Sequence, residues 1–106
     1  MAHLLRELKF ISELYAGCIW PLEMKSLVIQ ALQLKKDLSV RDYYSRNEQR
    51  KNLESQLDLL LHWQLNRERS KARTLQKSLL KHQTYILYFL HHPKEPPDNN
   101  GLERAI

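Results

Sequence analysis

Between Leu22 and His92 the sequence contains neither glycine nor proline. Its glycines are Gly17 and Gly101, and its prolines are Pro21, Pro93, Pro96 and Pro97. A β-sandwich or barrel needs turn residues every ~8–12 positions, so this absence excludes such folds and points to helices. Cys18 is the single cysteine, which rules out an intrachain disulfide and fits a reducing compartment. No apolar run approaches the ~18–20 residues of a membrane span. The amino terminus opens on a charged amphipathic segment, not on a signal core. These absences predict a soluble intracellular chain, nuclear or cytoplasmic more than mitochondrial, with no membrane partner.

Recognisable reaction chemistry is also missing. The histidines are His3, His62, His82, His91 and His92, and no two have the one-turn spacing of helical zinc motifs. With two widely separated glycines there is no phosphate-cradling loop, and no nucleophile elbow is present. Cys18 reads as a small buried or half-buried thiol. The expectation is no enzymatic activity, no metal, no cofactor and no small-molecule substrate.

What is present is helical periodicity. Leu4, Leu8, Ile11 and Tyr15 fall on one face of a first helix from about His3 to Ala16, with Leu5 and Leu14 widening the stripe. Gly17 stands where a left-handed cap is needed. After the short connector Cys18, Ile19 and Trp20, Pro21 suits the first turn of a second helix, where its missing N–H costs nothing. That helix reads to about Leu38. Leu27, Ala31, Leu34 and Leu38 line one side, flanked by Met24, Val28 and Leu32. Ser39 with Asp42 has capping-box spacing, and Leu38 with Tyr43 that of a hydrophobic staple, so a sharp turn is expected there.

No stop signal follows until His91, His92 and Pro93, and the spacing predicts a third helix over 40–91. Fifty residues of helix would extend ~75 Å, against ~20–27 Å for each of the first two. Leu53, Leu57, Leu60 and Leu61 form one stripe, with Leu59 and Trp63 on the other side, so this stretch should be covered on more than one face. Beyond it, Leu61, Leu65, Glu68, Ala72, Leu75, Leu79, His82, Ile86 and Phe89 recur in alternating steps of four and three. That is a heptad seam broken by two polar residues. Tyr85 to Leu90 is apolar on every side.

The expected fold is therefore all-α, a short amino-terminal hairpin packed on one long third helix of coiled-coil character. Residues 1–92 form the domain, and the proline-rich polar stretch 93–106 forms a disordered tail. The distal half of the long helix lacks cover. Leu61, Leu65, Ala72, Leu75, Leu79, Ile86 and Phe89, with Tyr85 and Tyr88, are then expected to bind another protein chain, a second copy or a different one. The alternative is a break at the polar gap Asn66–Ser70, folding the chain back into a four-helix bundle. No glycine or proline marks a turn there. Trp20 and Trp63 read as packed aromatics, either of which could anchor an interface.

Charge is unevenly spread. Of the net +5, residues 41–92 hold ten basic and five acidic side chains. Within them Arg67, Arg69, Lys71, Arg73, Lys77 and Lys81 face only Glu68. Arg73, Lys77 and Lys81, at steps of four, form a stripe suited to phosphate contacts without base readout. The competing reading is the solvated back of a coiled coil.

The opening Leu4, Leu5, Arg6, Glu7, Leu8, Lys9, Phe10, Ile11, Ser12 resembles the first helix of small mitochondrial LYR-type assembly factors, although the Leu-Tyr-Arg tripeptide is absent and the third helix is longer than in that pattern. The resemblance implies a basic helical assembly adaptor. Taken together, the sequence leads to the expectation of a non-enzymatic helical adaptor or scaffold subunit of an oligomeric complex. A basic nucleic-acid-binding protein using 67–81 is the alternative, and an LYR-like mitochondrial assembly factor the lesser one.

Overall fold

In the computed structural model, which describes residues 2–37 and 47–92, the stripe Leu4, Leu8 and Ile11 forms the inner side of α1 (Ala2–Leu14), all three fully buried. The helix ends as its sequence predicts. Gly17 takes φ 85°, and the Cys18 N–H reaches back to the Tyr15 carbonyl at 3.0 Å. Only glycine adopts this left-handed conformation without steric cost. Trp20 opens α2 (Trp20–Asp37) with Pro21 in its first turn, and Met24, Leu27, Val28, Ala31 and Leu34 are buried along it. α1 packs on α2. The Ser39–Asp42 cap, the Leu38–Tyr43 staple and the tail 93–106 lie outside the described residues.

The third helix is not the predicted rod. α3 spans Asn47–Leu61, an irregular segment follows, and α4 (Ser70–Lys81), a short α5 (Gln83–Ile86) and a 3-10 turn (Tyr88–Leu90) run back along the hairpin. The longest dimension of the molecule is 46 Å, too short for the ~75 Å rod. Every described element is helical and no strand occurs among the described residues, so the all-α class stands while the long coiled-coil helix does not.

The break is made by tertiary caps. The last carbonyls of a helix have no partner within it. Here the Trp20 indole N–H donates to the Leu60 carbonyl at 2.8 Å, and the Gln76 amide donates to the carbonyls of Leu60 (3.0 Å) and Trp63 (2.7 Å). Asn66 then forms a turn of its own. Its side chain accepts the Glu68 N–H at 3.3 Å and its carbonyl the Arg69 N–H at 3.0 Å. On the far side the Tyr15 hydroxyl accepts the Lys71 N–H at 3.1 Å, meeting one of the unpaired donors at the start of α4. Replacing Gln76 with alanine removes two hydrogen bonds at this junction and should lower unfolding free energy by about 1–2 kcal/mol, read as a shifted urea midpoint. An unchanged midpoint would remove Gln76 from the account.

The fold-back covers what was expected to be bare. Leu61, Ala72, Leu75, Leu79, Ile86 and Phe89 are all buried, and Leu65 packs partly buried against them. The closing turn is fastened by two cations. Lys35 Nζ donates to the carbonyls of Phe89 (3.1 Å) and His92 (3.2 Å), and Arg50 Nη1 to that of Leu90 (3.4 Å). A side-chain contact between His91 and Glu54 ties the same turn to α3. The expected cover of the Leu53–Trp63 stretch on more than one face is corrected as well. Its Leu53, Leu57, Leu60 and Leu61 are buried, whereas Leu59 is 69% and Trp63 46% exposed. No helix of the described residues is long and apolar enough to cross a membrane.

Candidate nucleic-acid interface

α4 has two unlike sides. Ala72, Leu75 and Leu79 hold the inner side at steps of three and four and are buried. At about 100° per residue, Arg73, Lys77 and Lys81 then fall on the outer side, with Ser70 and Thr74 beside them. Arg67, Lys71, Lys77 and Lys81 are exposed, and Arg69 and Arg73 half-buried. Arg67 lies in the turn before the helix and Arg69 is the residue capping it.

None of these six cations has an ion-pair partner among the described residues. The start of α4 makes this more pointed. A helix amino terminus carries positive partial charge and prefers a carboxylate in its first turn. α4 has no acidic residue there, and Arg69 supplies no side-chain cap. Instead Arg67, Arg69, Lys71 and Arg73 crowd the same end. Like charge at a helix end costs about 0.3–1 kcal/mol per group, and no carboxylate within the first turn of α4 offsets it. A bound anion would.

The seam residues tell the opposite story. Leu61, Ala72, Leu75, Leu79, Ile86 and Phe89 lie in the chain's own core with no free surface for another chain. Tyr85 and Tyr88 remain exposed at 47% and 38%. The reason is the fold-back, which brings α1 and α2 against the segment that a straight helix would have carried out of reach.

Sequence reasoning missed the groove between α1 and α4. It is lined by Glu7, Phe10, Ser70, Lys71 and Ser78 over a floor including Leu75. The Lys71 ammonium stands 5.9 Å from the centre of the Phe10 ring, within cation–π range. A signal existed, for Phe10 lies off the buried stripe of α1 and is 48% exposed. The histidines do not converge. His62 pairs with Asp58 one turn away and His91 with Glu54. Among the described residues no group of three or more His, Cys, Asp or Glu side chains could hold a metal ion.

Fold and surface together define an all-helical unit with an apolar inner side and a cationic outer face on α4 that has no ion pair among the described residues. Its sequence matches the model of the Transposase IS66 family over residues 1–106. The chain belongs to that family. No curated protein and no solved structure matches it. Family membership overturns the expected adaptor or scaffold role and the LYR-type assembly factor, replacing both with a transposase-related one. Burial of the proposed protein-binding seam removes the physical ground on which the adaptor reading stood.

Proposed function

We propose that the outer face of α4 and the turn before it hold DNA by its phosphate backbone, making this chain a DNA-gripping part of a transposase. The observation that carries the proposal is the set of six cations, Arg67, Arg69, Lys71, Arg73, Lys77 and Lys81, with no ion-pair partner among the described residues and opposed in sequence only by Glu68. Membership of a transposase family supplies a partner of the complementary charge. The contacts are to phosphate and independent of base sequence, since flexible point charges carry no pattern that distinguishes base edges. In this reading the described residues grip the DNA and take no part in cutting it.

Fluorescence anisotropy with a labelled duplex of arbitrary sequence tests the proposal. Three to five phosphate contacts would make affinity fall roughly 40- to 500-fold between about 50 and 200 mM salt. Binding indifferent to salt, or no binding at low salt, would contradict it.

A further inference from the structure

We propose that the α1–α4 groove takes a single unpaired DNA base, stacked on Phe10, while the adjoining cations hold the strand's phosphates. The inference rests on the DNA reading above and adds a preference for unpaired over duplex DNA. The groove has a volume of about 410 Å³, inside the ~300–1,000 Å³ range of small-ligand sites. Phe10 lines it and is 48% exposed overall, and an aromatic ring beside cationic side chains is the arrangement that holds single strands through their bases.

The polar groups fit a base better than a phosphate. Glu7 lines the groove and is in no ion pair among the described residues. Its carboxylate repels a phosphate placed inside but accepts a hydrogen bond from an exocyclic amino group. The Ser70 and Ser78 hydroxyls, also on the wall, make no hydrogen bond among the described residues, whereas Thr74 is turned back to the Ser70 carbonyl at 2.9 Å. Lys71 now covers the Phe10 ring. A stacked base would displace its ammonium toward the flanking phosphate. In paired DNA the base is not available to enter, so duplex contacts stop at the outer face.

The test compares a labelled single strand and a duplex of equal length, at one salt concentration, for the full chain and for Phe10→Ala and Phe10→Trp. Phe10 is exposed enough for both variants to fold, checked by circular dichroism. The expected result is that Phe10→Ala weakens single-strand binding about 5- to 150-fold, the equivalent of one stacked base, and leaves duplex binding unchanged, while Phe10→Trp retains both. A 2-aminopurine in the single strand should lose fluorescence on binding to the unaltered chain and much less with Phe10→Ala. Unchanged single-strand affinity in Phe10→Ala, or an equal loss on both DNAs, overturns the base pocket alone. Failure of the unaltered chain to bind either DNA overturns the DNA reading itself.

Discussion

Replacing Arg73, Lys77 and Lys81 together with glutamate should abolish measurable duplex binding, a loss of at least about 100-fold at low salt. Three attractions to phosphate become three repulsions on a face that carries no compensating acid. The fold should survive, because all three side chains point away from the Ala72, Leu75 and Leu79 side of α4. Like-charge spacing at steps of four is already present, so reversing its sign adds no new repulsion. The one local cost is at Lys81, whose positive charge suits the carboxyl end of the helix and whose loss costs about 0.3–1 kcal/mol. Reversing the exposed Arg6, Lys36 and Lys51 changes net charge by the same amount elsewhere on the surface. If both triple variants lose affinity equally, total charge and not this face governs binding.

Ile86→Asp should unfold the protein, and Tyr85→Asp one position earlier should not. Ile86 is fully buried and Tyr85 is 47% exposed. A carboxylate at Ile86 loses the burial of a large aliphatic group and places an unpaired charge in the core, a cost of several kcal/mol. Small domains have only about 5–15 kcal/mol of stability, so a melting temperature lower by about 15 °C or more, or no cooperative transition, is the expected result. On a straight third helix the outcome would differ. Ile86 would lie at an intersubunit seam, and the substitution would dissociate an oligomer while leaving the monomer's helices folded. Thermal melts with sedimentation on both variants separate the two. A stable Ile86→Asp monomer would contradict the folded-back core.

The two halves of the chain differ in how far local rules reach. α1 and α2 were legible because their determinants are local. The Leu4, Leu8, Ile11 stripe, the Gly17 cap and the Pro21 start each act within one or two turns. Ending α3 after Leu61 depends instead on Trp20 and Gln76, whose partner, the Leu60 carbonyl, is 40 and 16 positions away. No glycine or proline was needed, so a search for helix breakers finds none. The sequence does carry a mark of the break, the polar gap Asn66–Ser70 that stands as the alternative to a continuous helix. Glu68 and His82 interrupt the heptad as polar residues, and both fall at non-helical positions, one in the turn before α4 and one between α4 and α5. His82 closes α4 itself, its ring Nδ1–H donating to the Ser78 carbonyl at 2.9 Å. Periodicity passed through both points because α4 and α5 bury the same sides that a continuous helix would have.

The basic stripe was legible for a similar reason. Arg73, Lys77 and Lys81 lie opposite Ala72, Leu75 and Leu79 within a single helix, so a break before it or after it does not move them. What the sequence could not supply was the surrounding surface. Bringing Phe10 beside Lys71 requires α1 and α4, some sixty positions apart in the chain, to meet side by side, and that follows only from the fold-back.

Titration of the isotopically labelled chain with short DNA, followed by backbone amide NMR, tests most directly whether one helix divides its two sides between core and DNA. Shifts should concentrate at Arg67, Arg69, Lys71, Arg73, Lys77 and Lys81, with little change at Gln33, Gln49 and Asn52, which line a separate groove between α2 and α3. Shifts centred on that groove, or none from residue 67 to 81, would contradict that division.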